Sequence, residues 1–297
     1  MAKYIDPLTD TGFKIIFGRE NQSETILAKF LNDLFVGTPY FDAITQIKYS
    51  NSERVREKER GKTIIHDVIC ETEKGHKFIL EMQKGKKDDF LYRSTYYTCR
   101  GVTDQVNIGT SGKGSPYKFL PVTTVYICDF DIRELDDKLT SVFMFRDIEG
   151  DRIINNGIRT AYIQLPRFKK GWDECENNFD KWIYILKNMY TFEEFPEMTR
   201  KDAVFSRLER VASYAQLAEE DKIAYEADLK WASEYREEIA TAKREAAMEG
   251  RAEGLAQGRA EERWEMAKKL FDLGIDLKTI STASGLPIKE LEDQLGV

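Results

Sequence analysis

Residues 64–70 read IIHDVIC and residues 77–83 read KFILEMQ. These two apolar stretches flank a short polar segment with a central glycine, so the pattern predicts a β-hairpin. Pairing the two strands about this turn places Asp67 opposite Glu81 or Gln83. Acidic side chains within apolar strands need a partner that offsets their removal from water, and a divalent cation is such a partner. The hairpin therefore predicts a metal site formed by the two carboxylates.

The composition is that of a soluble protein. The chain has 297 residues, of which 41% are hydrophobic and 33% are charged, which is enough for at least one full core. It lacks the apolar run of a signal peptide and any stretch of the roughly 20 apolar residues that cross a bilayer, so we expect a cytoplasmic protein without membrane association. The formal net charge of −7 argues weakly against nucleic-acid binding, and any DNA contact must come from a local basic patch.

The amino-terminal two thirds of the chain mixes helix and strand patterns. Ser23 is placed to cap a helix whose apolar side chains share one face. A second helix is expected to start at Asp88 and Asp89 and to run through Val106. Apolar runs with strand character surround these helices and the hairpin, at residues 44–49, 119–128, 139–145 and 159–165. The pattern predicts an α/β fold.

The carboxyl-terminal third has a different composition. After Pro196, Ala, Glu, Lys and Arg dominate and strand-forming runs disappear, which predicts helix. We expect three domains, at residues 1–195, 196–265 and 266–297. The last segment has the short helices and glycine turn of a helix-turn-helix unit. Its final helix is more acidic than basic, which favours a packing or protein-contact module over one that reads DNA.

Several motifs together resemble one known family. The segments are DPLTDTGFKIIFG at residues 6–18, ILAKFLN at 26–32, DVICETEKGHKFILEMQ at 67–83 and RSTYYTCRGVTDQ at 93–105. The sequence resembles the Rpn-type recombination-promoting nuclease and putative transposase family of the PD-(D/E)XK superfamily. The resemblance covers most of the chain and is most specific before residue 165.

The resemblance implies a fold, an activity and a set of site residues. The fold would be a restriction-endonuclease-like core, a central mixed sheet flanked by helices, followed by a helical carboxyl-terminal region. The activity would be metal-dependent hydrolysis of DNA phosphodiester bonds, with Mg²⁺ or Mn²⁺ held by Asp67 and Glu81 and by the backbone carbonyl of Met82. Gln83 would be the third catalytic residue, in the position where the superfamily has Lys. A neutral amide can orient water or phosphate but cannot supply the positive charge of a lysine.

Other polar residues are weaker candidates. Arg93 and Arg100 follow helical spacing after the hairpin, so they are expected to face DNA phosphates. Packing at the edge of the core with salt bridges is the other interpretation of both. Glu24 is interpreted as a solvated helix carboxylate and is left outside the site.

Two functions fit the sequence, and a third, strand transfer by a true transposase, has only the family name behind it because the sequence shows no spaced DDE-type acidic triad. The first is a Mg²⁺-dependent DNA endonuclease in recombination or mobile-element biology. The second is a non-catalytic module with a nuclease fold, in which the charged carboxyl-terminal helices form a homo-oligomer or bind a partner. The endonuclease is the leading hypothesis, because Asp67, Glu81, Gln83 and the wide resemblance all point to it. The negative net charge and the missing lysine are the features that favour the second function.

Overall fold

The computed structural model of the chain describes residues 2–38, 41–50, 67–85, 87–106, 119–149 and 155–296. Residues 64–66, the start of the predicted hairpin, lie outside the described residues. In chain order the helices and strands are α1 (Asp10–Phe17), α2 (Glu24–Phe35), β1 (Ile47–Tyr49), β2 (Val68–Thr72), β3 (Lys77–Gln83), α3 (Phe90–Val106), β4 (Val122–Cys128), β5 (Thr140–Phe145), β6 (Asn155–Gln164), α4 (Asn178–Asn188), α5 (Ala203–Ala212), α6 (Glu219–Asp272), α7 (Leu277–Ser284) and α8 (Ile288–Leu295).

The strands of the described residues form one mixed sheet in the order β1-β2-β3-β4-β6-β5. Neighbours are antiparallel from β1 to β3, parallel from β3 through β4 to β6, and antiparallel between β6 and the edge strand β5. Every side chain of β4 is buried, as expected for a central strand that is covered on both faces. The predicted α/β class with a central mixed sheet is confirmed.

The two faces of the sheet pack against different helices. One face contributes to the main apolar core together with α1, α2, α4 and α5. The other face is covered by α3, whose Phe90 contacts Tyr126 and Tyr162 of the sheet edge to face. Because Glu81 lies beside Tyr126 in the register of β3 and β4, Glu81 and Gln83 lie on the α3 face. Large aromatic side chains of the main core are Phe13, Phe17, Phe30, Trp182 and Phe205.

Two predicted details differ from the structure for local reasons. The side chain of Ser23 makes no hydrogen bond to its own helix, because the residue has helical backbone angles, whereas a capping residue is extended. Its hydroxyl instead donates to the carbonyl of Ile15 at 3.0 Å and so connects α2 to α1. Strand β1 begins at Ile47, later than predicted, because both backbone polar groups of Ile44 bond to the side chain of Asn32 at 2.8 Å.

The chain divides into two compact units after Leu229. The first unit extends beyond residue 195, where the sequence-based domain ended, because Phe205, Leu208 and Tyr225 are buried in the main core. In the second unit, α7 and α8 pack with the end of α6 around a small apolar cluster that contains Ala267 and Ile280. None of the helices in the described ranges combines the length and the apolar character needed for a membrane span.

Candidate active site

The predicted hairpin consists of β2 and β3. The strands pair with Val68 opposite Leu80, and Gly75 in the connecting turn has a φ of +79°, a left-handed conformation that glycine adopts without strain. Asp67 directly precedes Val68, so this register places it beside Glu81. Of the two pairings that the sequence allows, the structure has the one that brings the carboxylates together.

The surroundings of Asp67 and Glu81 disfavour the state in which both carboxylates are ionised. Oδ2 of Asp67 accepts a hydrogen bond from the backbone N–H of Met82 at 2.7 Å. Burial raises the pKa of Asp67 to about 7, and the charge of Glu81 adds to this increase. Glu81 is itself only 3% exposed. Bringing a cation to this pair would relieve both the burial of charge and the mutual repulsion.

Two tyrosines that the sequence did not place beside the carboxylates, Tyr97 and Tyr126, lie close to Glu81. Tyr126 is its neighbour in the parallel register of β3 and β4, and the Tyr126 hydroxyl donates to the carbonyl of Ser94 in α3 at 2.9 Å. Burial raises the pKa of Tyr97, and the charges of Arg93 and Glu81 act on it in opposite directions. The position of Tyr126 depends on the pairing of strands separated in sequence by α3, for which the chain carries no local signal.

Gln83 connects the acidic pair to α3. Its Oε1 accepts a hydrogen bond from Nη2 of Arg93 at 2.5 Å, and its Nε2 lies 3.5 Å from Oε2 of Glu81. Arg93 was expected to face DNA, and the structure places its guanidinium against the side chain of Gln83. Sequence reasoning did not find this contact, because helical spacing does not specify how α3 is rotated against the sheet.

The amino-terminal motif contributes charges beside Asp67. Asp10 and Lys14 form an ion pair at 2.8 Å on α1, and their charges respectively raise and lower the pKa of Asp67. In the preceding loop, Asp6 pairs with Lys84 at 3.6 Å, directly after the end of β3. The motif at residues 6–18 therefore lies next to the hairpin, a proximity that the sequence motifs alone do not specify.

The remaining candidates have partners elsewhere. Arg100 lies two turns beyond Arg93 on α3 and pairs with Asp104 at 2.9 Å. Glu24 accepts a hydrogen bond from the backbone N–H of Asn21. His76 bonds to a threonine hydroxyl at 2.8 Å, and burial lowers its pKa to about 4. The structure does not assemble these side chains around the acidic pair.

The acidic pair is a small donor set for a metal. Among the side chains of the described residues, no group of three or more His, Cys, Asp or Glu is arranged to hold an ion. Mg²⁺ is commonly bound by one or two carboxylates, with water completing its octahedron. Asp67, which is partly buried, and Glu81, which is buried, fit this mode of binding by their charge and their proximity.

A mixed sheet flanked by helices, with acidic side chains on its hairpin, is the architecture of the restriction-endonuclease-like class. A family model described as PD-(D/E)XK nuclease family transposase matches residues 7–242. The chain therefore belongs to this family, and the fold and family predicted from the sequence motifs are confirmed. No curated protein and no solved structure matches the chain.

Proposed function

We propose that the protein is a metal-dependent DNA endonuclease that hydrolyses phosphodiester bonds in recombination or mobile-element biology. The family supports a nuclease role associated with mobile elements. The observation that carries the proposal is the adjacent carboxylate pair, in which Glu81 is 3% exposed, Asp67 is partly buried, and the charge of Glu81 adds to the raised pKa of Asp67. Two adjacent carboxylates removed from water destabilise the fold unless a bound cation compensates their charge. The substrate would be DNA in the cytoplasm.

Asp67 and Glu81 would hold Mg²⁺ or Mn²⁺. The N–H of Met82, which donates to Oδ2 of Asp67 at 2.7 Å, keeps one carboxylate oriented while the second oxygen remains available as a ligand. A bound metal would lower the pKa of a coordinated water and stabilise negative charge on the phosphate. The protein contributes the fixed position of the two carboxylates and the exclusion of bulk water from Glu81.

The amide of Gln83 would orient the reacting groups. It lies on the same face as Glu81, with its Nε2 3.5 Å from Oε2 of that residue. An amide N–H can donate to a water or to a phosphate oxygen but carries no charge. Arg100 remains a candidate for binding the DNA backbone. To do so, its guanidinium would have to leave the carboxylate of Asp104 and pair with a phosphate instead.

The first prediction concerns DNA cleavage. Asp67→Ala and Glu81→Ala are each expected to lower the rate at which supercoiled plasmid is nicked in Mg²⁺ by at least about 100-fold, since even partners of metal ligands contribute 10–100-fold. Gel electrophoresis measures the nicking, and calorimetry with Mn²⁺ measures the accompanying loss of metal binding.

Asp88→Asn provides a matched control. Asp88 is an exposed carboxylate in the loop after β3, so its substitution should leave the nicking rate within about twofold of the starting protein, as expected for a surface change away from the site. Circular dichroism checks that all variants are folded. Undiminished cleavage by both alanine variants would remove Asp67 and Glu81 from the proposed mechanism.

A second candidate function is a non-catalytic nuclease-fold protein that oligomerises or binds a partner through its carboxyl-terminal helices. Trp231 and Tyr235 favour it, because their rings stack at 5.3 Å on α6 and remain 66% and 50% exposed. Exposed aromatic surface of this kind is typical of contact sites. Under this alternative the protein would bind no Mn²⁺, cut neither single- nor double-stranded DNA, and sediment as a defined oligomer.

A further inference from the structure

Arg93, Gln83 and Glu81 form a continuous line of polar contacts from α3 to the acidic pair. Nη2 of Arg93 donates to Oε1 of Gln83 at 2.5 Å, and Nε2 of Gln83 lies 3.5 Å from Oε2 of Glu81. Arg93 is partly buried. The amide of Gln83 is a hydrogen-bond partner of its guanidinium at the site.

The hydrogen bond from Arg93 determines how the amide of Gln83 is oriented. A guanidinium has only donors, whereas an amide has an acceptor oxygen and a donor NH₂ group. Rotating the Gln83 amide by 180° would turn its NH₂ group towards Arg93 and its oxygen towards the carboxylate of Glu81, which would replace attraction by repulsion at both ends. Arg93 therefore holds the N–H donors of Gln83 on the side of the acidic pair.

The same contact brings a permanent positive charge near the site. An arginine side chain stays protonated at any physiological pH, and Gln83 has no charge of its own. Burial raises the pKa of Tyr97, one turn further along α3, while the charge of Arg93 lowers it and the charge of Glu81 raises it. The hydrogen bond from a charged donor also polarises the amide, which makes its N–H groups better donors.

We propose that Arg93 is a positioning residue that orients and polarises Gln83, so that helix α3 supplies to the site the positive charge that Gln83 lacks. This inference rests on the proposed nuclease function. It differs from the expectation that Arg93 binds DNA, because a residue that acts through Gln83 changes the rate of cleavage, whereas a phosphate contact changes the affinity for DNA.

The experiment compares Arg93→Met in two backgrounds, the natural protein and Gln83→Lys. Single-turnover cleavage of a fluorescent duplex is measured in Mg²⁺ with saturating protein, and duplex affinity is measured by anisotropy without metal. In the natural background the substitution should lower the cleavage rate by about 10–100-fold, the usual cost of losing a partner of a site residue, with affinity changed less than about threefold. In the Gln83→Lys background, Arg93→Met should lower the cleavage rate by less than about threefold, because the lysine carries its own charge.

Two further measurements make the result decisive. Lys87→Met removes an exposed cation just before α3 and should change neither rate nor affinity, as a control for general loss of charge. The side-chain NH₂ resonances of Gln83 in a ¹⁵N spectrum of metal-free protein should shift in Arg93→Met and stay in place in Lys87→Met. The spectrum reports the contact whether or not DNA is cut.

The outcomes are distinguishable. An equal cost of Arg93→Met in both backgrounds, an affinity loss as large as the rate loss, or unmoved Gln83 resonances would each overturn the positioning role. A natural protein that cuts no DNA would overturn the proposed function instead, and the shifted Gln83 resonances would still support the orientation of the amide by Arg93.

Discussion

The carboxyl group of Asp67 is held where its neutral form is favoured in the absence of a cation. Burial and the neighbouring Glu81 raise its pKa from 3.8, the ordinary value for an aspartate, to about 7. The folded protein therefore retains a proton between about pH 4 and pH 7 that the unfolded chain releases. Without metal, the stability of the fold decreases as the pH rises through this window.

Replacement of Asp67 by Asn should therefore stabilise the metal-free protein at pH 8. The amide oxygen can still accept the N–H of Met82, and the cost of a buried charge disappears, so we expect a gain of roughly 2–4 kcal/mol, since each unit of pKa shift corresponds to about 1.4 kcal/mol. Urea unfolding in EDTA at pH 8 and pH 4 measures the difference in free energy of unfolding between the two proteins. This difference should nearly vanish at pH 4, where Asp67 of the folded natural protein is neutral. A variant less stable than the natural protein at pH 8 would contradict this explanation of the pKa.

Some residue contacts of the site could be predicted from the sequence and others could not. The turn glycine and the alternation of side chains limited Asp67 to two partners, and the structure has one of them. The contact between Arg93 and Gln83 depends on the rotation of α3 against the sheet, and the position of Tyr126 depends on the pairing of β3 with β4. Both are set by long-range packing, for which a single sequence has no periodic signal.

At the scale of elements, α1 is fitted closely to the loop that precedes it. Thr9 caps the helix by accepting the N–H of Gly12 at 3.0 Å. A Cβ atom added to Gly12 would lie 2.1 Å from the carbonyl oxygen of Asp6 and 2.6 Å from Oγ1 of Thr9. Because one of these atoms belongs to the backbone, the loop would have to move to accept any side chain at this position.

Gly12→Ala should consequently destabilise the protein by about 1–3 kcal/mol, the usual range for overpacking. It should also reduce plasmid nicking, since α1 carries the charges next to Asp67. Gly254→Ala is the matched control, because a Cβ there meets no atom within 4 Å and alanine is the better helix former. Thermal unfolding measures both variants, and equal melting temperatures for Gly12→Ala and the natural protein would show that the loop can adapt.

The existence of most elements follows from periodicity, but their arrangement does not. The predicted strands at 139–145 and 159–165 occur as β5 and β6, and the sequence gives no sign that β6 lies between β4 and β5. The order results from β6 pairing in parallel with β4 and antiparallel with β5. Composition changes near Pro196, whereas the compact unit ends only after Leu229, because burial of α5 depends on its partners rather than on its composition.

At the scale of the whole molecule, the first unit is closed by contacts between the start of the chain and residues beyond 210. Tyr4 forms a β-bridge with Ser213. The N–H of Asp6 donates to the hydroxyl of Tyr225 at 2.6 Å, and the N–H of Thr11 donates to Asp228 at 2.6 Å. The first turns of α6 are therefore part of the nuclease-like unit.

Truncation tests this assignment. A chain ending at Leu229 retains Asp221, Tyr225 and Asp228, so its urea midpoint should stay close to that of the first transition of the full protein. A chain ending at Leu217 lacks all three and should lose at least about 3 kcal/mol, the cost of deleting a large buried side chain. Equal midpoints for the two truncated chains would place the first turns of α6 outside the unit.

The contact between Thr11 and Asp228 joins positions 217 residues apart, and this separation has a consequence for synthesis. At about 5–20 residues per second, a ribosome needs on the order of 10–40 seconds to make the intervening chain. During that time the apolar side of α1, with Phe13, Ile16 and Phe17, has no finished core to enter. The first helix to leave the ribosome is thus among the last to be docked, so nascent chains of this protein should be substrates for chaperones that bind exposed apolar segments.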